Sequence, residues 1–414
     1  MIRKSLIVVG SGPAGFMAAI TAADSGQVVT IFESMPKPAR KLGITGKGRG
    51  NVTNTETYEK FLLHFNNKGR FLKTAFKKFF NKELIDFLGK EGLQTTVERG
   101  GRVFTSSGKA TDIVNCLHKA IIKRGITLKT DSPVKDLIVK EGKCVGVSTA
   151  NSNYYASNVV LATGGLSYPA TGSTGDGLKI AKKLGHTIIK PLPSLCALKT
   201  SVQLPNYLEG VAPKNINVQL FINGKKVSEE FGEMLFQDGY LSGPVMITLS
   251  RLVVPALERK EKCEVIIDFK PALDHKKLDN RILRDIKEKN NLPFYEIVAG
   301  LLPNKLRQYC IKTLNVNSNL RADQISAEIR KQLRIWLKEL KFEIIGHASW
   351  EQAIVTSGGI STKEIDPTTM ESKLIKNLYF AGEIIDVDAD TGGFNLQAAF
   401  STGYLAGLSA SHNS

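Results

Sequence analysis

The distribution of apolar and polar positions predicts alternating strands and helices at the start of the chain. Residues 5–9 (SLIVV) are a short continuous apolar run, which is typical of a buried parallel strand. Glycines follow, and the apolar spacing then predicts a helix over residues 16–23 and a second strand over residues 27–33. A strand, a helix and a strand in this order predict one βαβ unit.

Helical spacing returns over residues 61–90, where one face of the pattern is basic. A stripe of apolar residues within it repeats every three to four positions, and we predict that it packs into the core: Leu72, Phe76, Phe79, Phe80 and Leu84. Another helix is predicted over residues 111–123. Three β segments follow at 128–137, 144–149 and 159–162, and the last leads into a glycine-rich loop over 162–177.

The pattern changes near Pro191. From there to about residue 270 apolar and polar positions alternate, and Asn223-Gly224 carries the signal of a two-residue hairpin turn. Residues 275–340 are helical and charged. The chain then becomes glycine-rich and β-like again at 353–361 and 378–383, and a final helix of small residues is predicted from about Phe394 to Leu408.

These patterns predict an α/β protein with a discontinuous Rossmann-like domain of the glutathione-reductase-like type. Residues 1–190 and 345–414 form this nucleotide domain, which is closed by the C-terminal segment. Two inserts are predicted between its parts. The first is antiparallel and β-barrel-like, over residues 191–272 and about 341–348, and the second is helical, over residues 273–340.

Composition narrows the class of protein. The formal net charge is +17, but the basic residues are scattered and no nucleic-acid-binding motif accompanies them, so we favour a solvated lysine-rich surface over a nucleic-acid partner. The five cysteines are far apart and form no CxxC, which predicts a reducing cytoplasm and neither a zinc site nor a disulfide framework. No apolar run has the length of a signal peptide core or a membrane span.

The motif Gly10-x-Gly12-x-x-Gly15 directly follows the first predicted strand and opens the first helix. Gly10 permits a tight turn, Gly12 lets the backbone approach a pyrophosphate, and Gly15 lets helix and strand pack closely. Glu33 ends the second strand, where a carboxylate accepts hydrogen bonds from ribose hydroxyls. The motif predicts a bound dinucleotide and fits NAD as well as FAD.

A glycine-rich basic loop over residues 40–54 bears on that choice. It has few apolar anchors, and ordering it costs chain entropy unless a ligand contributes. Arg40, Lys41, Lys47 and Arg49 could neutralise a diphosphate or a substrate carboxylate. The alternative is a mobile surface loop.

The C-terminal segment GEIIDVDADTGGFNLQ, which begins at Gly382, favours FAD. Glu383 follows a predicted strand and could bind ribityl hydroxyls, and Gly393 stands at the start of the last helix. The amino end of a helix favours negative charge, and a reduced flavin carries negative charge around N1 and O2. We therefore predict non-covalently bound FAD.

Several of these segments, together with GEMLFQDGYLSGP and SGGIS, resemble one family. It is the family of bacterial FAD-binding flavoproteins that includes aminoacetone oxidase and a bile-acid 3-dehydro-4,6-reductase. The resemblance implies an FAD domain with two inserts. It also implies that Gly12, Pro13 and Ala14 bind the diphosphate, that Glu33 binds the ribose, and that Arg40 and Lys41 begin the loop near the flavin. By the same resemblance Val134 contacts adenine through its backbone. The resemblance also assigns cofactor contacts to Thr163, Gly164, Glu383, Gly393, Phe394, Asn395 and Leu396.

Two positions depart from that family. Gly50 stands where the family usually has cysteine, and Gln237-Asp238 stands where it tends to have Thr-His, so any role of those side chains is not expected here. His347 is a weak candidate for a base, with a core position as its alternative. The sequence has no HExxH and no GxSxG, and it assigns neither a catalytic residue nor a metal site.

The leading hypothesis is an FAD-dependent oxidoreductase that transfers a hydride between flavin N5 and a small organic substrate. NAD(P)H would reduce it, or oxygen would reoxidise it, and because a second complete GxGxxG is absent, NAD(P)H is expected to dock only transiently. The net charge of +17 keeps a tRNA-modifying flavoenzyme as one alternative, and Gly50 keeps a non-catalytic flavin-binding redox sensor as another.

Overall fold

The computed structural model describes residues 5–412 and divides them into two units. The first unit comprises the described residues up to Pro193 and from Ala353 onward, and the second is Ser194–Gln352. In chain order, the strands and helices are β1 (Ser5–Val9), α1 (Pro13–Asp24), β2 (Val28–Phe32), β3 (Asn51–Asn54), α2 (Tyr58–Leu63), α3 (Lys73–Lys78), α4 (Asn81–Lys90), β4 (Thr95–Val97), β5 (Arg102–Thr105), α5 (Thr111–Lys123), β6 (Thr127–Lys129), β7 (Val134–Lys140), β8 (Lys143–Thr149), β9 (Asn153–Tyr155), β10 (Asn158–Leu161), α6 (Asp176–Lys183), β11 (Ile188–Ser194), β12 (Leu198–Thr200), β13 (Ile216–Ile222), β14 (Lys225–Gly232), β15 (Leu235–Gln237), β16 (Tyr240–Ser242), α7 (Gly243–Glu258), β17 (Cys263–Asp268), α8 (His275–Glu288), α9 (Phe294–Ala299), α10 (Asn304–Leu314), α11 (Ala327–Glu339), β18 (Leu340–His347), β19 (Val355–Ile360), β20 (Leu378–Phe380) and α12 (Phe394–His412).

The first unit is built on a parallel five-stranded sheet in the order β20-β10-β1-β2-β6. β1 lies in the middle, with Val9 paired to Phe32 on one side and Leu161 on the other. Its apolar run is buried because parallel sheets are covered on both faces. This sheet and its helices confirm the predicted α/β Rossmann-like class.

The last helix closes the first unit by packing against the first helix. A Cβ added at Gly403 would lie 2.2 Å from the carbonyl oxygen of Ala14, and one added at Gly407 would lie 2.3 Å from that of Ala18. Only glycine therefore allows the two backbones to approach this closely. Residues nearly 400 positions apart thus form a single helix pair behind the dinucleotide motif.

One predicted strand in this unit was wrong. Residues 128–137 form the end of β6 and the start of β7, which belong to different sheets. The chain turns between them because Asp131 adopts a left-handed conformation (φ 49°) and Pro133 follows two residues later. The predicted apolar stripe over 61–90 is confirmed as core, since Leu72, Phe76, Phe79 and Leu84 are buried.

The second unit contains an antiparallel seven-stranded sheet in the order β14-β13-β17-β18-β12-β16-β15, with helices α7 to α11. The Asn223-Gly224 hairpin is confirmed, because both residues have positive φ (49° and 76°), as a type I′ turn requires. α7 was not predicted, since the segment was expected to continue the β pattern. Its buried residues Val245, Leu249 and Val253 recur every four positions, which suits a helix with one face on the sheet.

Within residues 5–412, none of the helices combines the length and the apolar content that crossing a bilayer requires.

Candidate functional site

The turn between β1 and α1 leaves one side of its backbone open. The N–H of Gly10 donates to the carbonyl oxygen of Phe32 at 2.8 Å, and Gly10 has a φ of 100°. A Cβ at Gly15 would lie 1.9 Å from the Gly10 oxygen, so helix and strand meet there without room for a side chain. A Cβ at Gly12 would meet no atom within 4 Å. The space at Gly12, before Pro13 and Ala14 at the amino end of α1, can therefore receive a phosphate group.

Glu33 lies directly beside this turn. Its carboxylate is 8% exposed and accepts the Ser11 N–H at 3.0 Å and the Ser11 hydroxyl, while its other oxygen accepts the Met35 N–H at 2.8 Å. The Ser132 N–H donates to the Glu33 backbone carbonyl at 2.8 Å, and Val134 begins β7 two residues later. These hydrogen bonds place Glu33 beside the glycine turn and the segment before β7 beside Glu33.

Lys41 and Glu383, 342 positions apart in the sequence, form an ion pair. The Lys41 Nζ lies 2.6 Å from a Glu383 oxygen and 2.5 Å from the Ser167 Oγ, to which it donates. The Ser167 hydroxyl donates to the other Glu383 oxygen at 2.9 Å. Burial alone would raise the pKa of Glu383, but the Lys41 ammonium and its hydrogen bond hold it below its ordinary value. Glu383 is therefore an anion at neutral pH.

Thr356 links this ion pair to the loop that follows β10. Its N–H donates to Glu383 at 2.7 Å, and its hydroxyl oxygen accepts the N–H of Leu166 at 2.8 Å. Ser167 and Thr356 were not singled out from the sequence, since no local pattern connects either of them with Lys41 or Glu383. Together the four side chains, which we call the Lys41–Glu383 cluster (Lys41, Ser167, Thr356 and Glu383), fasten the basic loop to the C-terminal motif.

The loop after β10 offers one unsatisfied polar group. The Thr163 hydroxyl oxygen is buried without a hydrogen-bond partner in the described part of the chain, although buried hydroxyls are normally bonded. A Cβ at Gly177, on α6, would lie 2.0 Å from it, so the loop is held against that helix. Gly164 follows with a φ of 75°. Arg40 is exposed at the start of the basic loop.

The C-terminal motif is ordered by close backbone contacts. Gly382 has a φ of 78°, and a Cβ there would lie 2.8 Å from the Cβ of Ala14. At Gly393 (φ 100°) a Cβ would lie 2.4 Å from the carbonyl oxygen of Thr53. The amino end of α12 is thereby fixed beside β3, and Gly382 beside the amino end of α1.

The side chains that open α12 contact protein. The Phe394 ring lies 4.7 Å from that of Phe61, edge to face, and is buried. The Asn395 amide bonds the backbone of Ala389 in both directions, at 2.8 and 2.9 Å, and Leu396 packs on the core. These side chains shape the turn, and the backbone N–H groups of the first helical turn have no intrahelical acceptors.

The side chain of His64 adjoins this turn and was not predicted from the sequence to belong to the site. His64, at the end of α2, stacks on Phe394 with ring centroids 3.8 Å apart. Its Nδ1 lies 2.8 Å from Asp390 and its Nε2 lies 3.0 Å from Glu56. Lys68 donates to Asp386 at 2.5 Å. The alternating carboxylates of DVDAD could have drawn attention to this segment, but their cationic partners come from a distant part of the chain.

The remaining candidates lie elsewhere. His347 ends β18 in the second unit, where its Nδ1 lies 2.9 Å from the carbonyl oxygen of Ala348. At Gly50 (φ 74°) a Cβ would lie 2.9 Å from the Cα of Ala110, so a side chain at this position would be strained. Asp238 follows β15 and donates its N–H to Glu209 at 2.6 Å. No group of three or more His, Cys, Asp or Glu within residues 5–412 is placed to hold a metal ion.

The site fits a dinucleotide with a further polar head group. The open face at Gly12 suits the diphosphate, the unpartnered Thr163 hydroxyl offers a hydrogen bond, and the start of α12 favours negative charge. FAD matches all three, because it carries a diphosphate, groups that form hydrogen bonds, and a ring system that gains negative charge on reduction.

Comparison with known proteins gives a consistent result. The family model described as "HI0933-like protein Rossmann domain" matches residues 4–409. The 3-dehydro-bile acid delta(4,6)-reductase of Clostridium scindens is 28% identical over 405 residues, which cover 97% of this chain and 98% of that protein. The ribosomal RNA dihydrouridine synthase of Haemophilus influenzae is 30% identical over 408 residues, 98% of each chain.

Among solved structures, 3-ketosteroid delta1-dehydrogenase from Sterolibacterium denitrificans, in complex with 1,4-androstadiene-3,17-dione, shares the fold. It is 12% identical, with a TM-score of 0.54, and the match covers 99% of this chain and 100% of that one.

Proposed function

The chain belongs to the HI0933-like family of Rossmann-domain proteins and is an FAD-dependent oxidoreductase, and we propose that it reduces a small organic substrate with hydride delivered at flavin N5. The observation that supports this proposal best is the Lys41–Glu383 cluster, which joins two segments predicted separately to lie near the flavin. Because the protein is an enzyme, the alternative of a non-catalytic redox sensor is set aside.

The residues around the glycine turn have distinct tasks in this proposal. Gly10, Gly12, Pro13, Ala14 and Gly15 would hold the diphosphate at the amino end of α1, where the dipole favours anions. Glu33 would accept hydrogen bonds from the adenosine ribose, since each carboxylate oxygen can accept more than one. The backbone of Val134 would contact the adenine.

The remaining predicted residues would serve the flavin side. Thr163 and Gly164 would contact the cofactor from the loop after β10, and Arg40 and Lys41 from the basic loop. Gly382 and Glu383 would lie along the ribityl chain, and Gly393, Phe394, Asn395 and Leu396 would present helix N–H groups to the pyrimidine edge. The cofactor would be held by these contacts alone, without a covalent bond.

The names of the two relatives support a more specific substrate class. A 3-dehydro-bile acid delta(4,6)-reductase and a dihydrouridine synthase both name reduction of a carbon–carbon double bond conjugated with a carbonyl. We propose the same class here. The net reaction adds two hydrogens across the double bond and oxidises NAD(P)H to NAD(P)⁺: one hydrogen is delivered as a hydride that originates from NAD(P)H, and the other is taken up as a proton from solvent or a side chain.

The test is an anaerobic titration of the purified protein followed by its absorption spectrum. NADH or NADPH should bleach the flavin band, and an enone such as 4-androstene-3,17-dione or a free uracil nucleoside should restore it. Amines serve as comparison donors and oxygen as a comparison acceptor. A protein that takes up no FAD, or whose reduced flavin is reoxidised only by oxygen, would contradict the proposed substrate class.

A second candidate substrate is uracil within an RNA chain, and it is favoured by the charge of one segment. Residues 60–82 include seven basic residues and no acidic residue. Five of the seven have no ion-pair partner in the described part of the chain, and all five are exposed: Lys60, Arg70, Lys73, Lys77 and Lys78. The stretch contains His64, whose ring stacks on Phe394, and it therefore adjoins the start of α12.

RNA retardation at graded salt distinguishes the two substrates. If the five basic side chains each contact one phosphate of a single strand, log K should fall with log salt with a slope of about −3.5. Replacing Lys73 and Lys77 by Gln should reduce that slope by about 1.4. Absence of tRNA and rRNA binding at low salt would exclude the RNA substrate and leave the small one.

A further inference from the structure

Three carboxylates closely precede α12 in the chain, and the Asn395 amide ties the backbone of their segment at Ala389 and Asp390 to the first helical turn. Asp386, Asp388 and Asp390 alternate along the chain immediately before Gly393, at the helix end that the proposed function places against the flavin. Carboxylates close to this end oppose the accumulation of further negative charge, even though the helix dipole favours it. The amino end of α12 alone therefore does not make an anion-binding site.

Two basic side chains, at the end of α2 and just after it, offset part of this negative charge. Both nitrogens of His64 face carboxylates, Asp390 at 2.8 Å and Glu56 at 3.0 Å. Lys68 lies 2.5 Å from Asp386 and 3.9 Å from Asp388, which also accepts the Ser357 hydroxyl at 3.0 Å. A histidine between two carboxylates can donate to both only when it carries both protons.

We propose that His64, with Lys68, is a positioning residue that keeps the amino end of α12 favourable for the negative charge that flavin gains on two-electron reduction. This inference rests on the proposed function, since it needs FAD bound at this helix end. Burial alone would lower the pKa of His64, but the hydrogen bonds to Asp390 and Glu56 raise it, which supports a charged ring near neutral pH.

A packing role is the competing explanation, because the His64 ring also stacks on Phe394. Substitutions that remove either the ring or the charge of His64 distinguish the packing role from the electrostatic one. His64→Phe keeps an aromatic ring against Phe394 and removes the charge, whereas His64→Lys keeps the charge and removes the ring. Lys68→Met removes the second cation without touching the stack, and Lys90→Met, an exposed lysine at the end of α4, is the matched control for loss of a positive charge.

The measurement is the flavin midpoint potential of each FAD-loaded variant, obtained by anaerobic equilibration with a reference dye. Flavin content and thermal unfolding are recorded beside it to verify folding. We expect His64→Phe and Lys68→Met each to reduce the equilibrium constant for flavin reduction about tenfold, which is about 30 mV for two electrons. His64→Lys and Lys90→Met should leave it within about twofold.

Equal potentials in wild type and His64→Phe, or a drop in His64→Lys with none in His64→Phe, would overturn the inference while leaving the proposed function intact. A wild-type protein that binds no FAD would overturn both. Should His64→Phe fail to fold, Lys68→Met provides the same comparison through a different side chain.

Discussion

Replacing Lys41 by Met removes the one cation of the Lys41–Glu383 cluster. The Nζ donates at 2.6 Å to a carboxylate and at 2.5 Å to the Ser167 hydroxyl. A hydrogen bond to a charged group contributes about 1.5–3 kcal/mol and an ordinary one about 0.5–1.5 kcal/mol. Both ion-pair side chains are 22% exposed, which favours the lower values. We therefore expect a loss of about 2 kcal/mol, or about 4 °C in the melting temperature.

The assay is thermal unfolding at a fixed excess of free FAD, because a bound ligand stabilises by mass action. Wild type, Lys41→Met, Glu383→Gln and the double variant form a double-mutant cycle. The two single changes should couple by about 1 kcal/mol or more, since both remove the same ion pair. Additivity within about 0.5 kcal/mol would show that the pair contributes no stability and would refute the reasoning.

Thermal unfolding measured at acid pH tests separately whether Lys41 lowers the pKa of Glu383. The pKa of Glu383 is below its ordinary value of 4.5 in the folded protein, so its contribution is complete above 4.5 and is lost as the pH falls toward the folded value. Without the Lys41 cation burial raises the folded-state pKa of Glu383, so the loss of stability on acidification below pH 4.5 should become smaller or reverse. An unchanged acid profile in Lys41→Met would contradict the assigned cause of the shift.

Further predictions concern single positions. Gly12→Ala should fold, because its Cβ meets no atom within 4 Å, but should bind FAD about tenfold more weakly, as equilibrium dialysis would reveal; wild-type affinity would place the diphosphate elsewhere. Gly15→Ala should be insoluble, since its Cβ would lie 1.9 Å from the Gly10 oxygen, and a soluble variant would disprove that contact. Gly403→Ala should lower the free energy of unfolding by about 1–3 kcal/mol through overpacking against α1, as denaturant unfolding would measure; an unchanged free energy would contradict the close contact of the two helices. Burial lowers the pKa of His186, so the contribution of this side chain to stability should fall as the pH drops below 6.5, and His186→Gln should lose less stability than wild type between pH 7.5 and 5.5; equal losses would exclude this histidine as a cause.

Local patterns were sufficient to predict the class of fold. The run SLIVV, the glycine turn and the following apolar helix each have a short-range cause, and β1, α1 and β2 follow them closely. The helix predicted over residues 111–123 has those limits in the structure. α7 was missed because its Val, Ile and Thr residues resemble a strand, while burial of one helical face decides the structure.

Fewer parts of the candidate site could be predicted from the sequence, because most of its contacts join residues that are far apart in the chain. The steric need for glycine is local and is seen at Gly10, which has a φ of 100°, and at Gly15, where a Cβ would lie 1.9 Å from the Gly10 oxygen; that a diphosphate approaches Gly12 stays a prediction. The pairing of Lys41 with Glu383 has no local signal, because no periodicity connects positions so far apart. His64 was one of six histidines in the sequence, and only the folded chain shows that Asp390 and Glu56 enclose its ring.

The packing of α12 on α1 has a consequence for biosynthesis. The second unit is one continuous stretch and can fold as soon as it leaves the ribosome, whereas β1, β2 and α1 must wait for β20 and α12. More than half of the chain is translated after Pro193, which takes about 10–40 s at ordinary elongation rates. For that interval the alanine-rich surface of α1 has no covering helix. We therefore expect the first unit, with the glycine turn at the amino end of α1, to be completed only after the last helix has been synthesised.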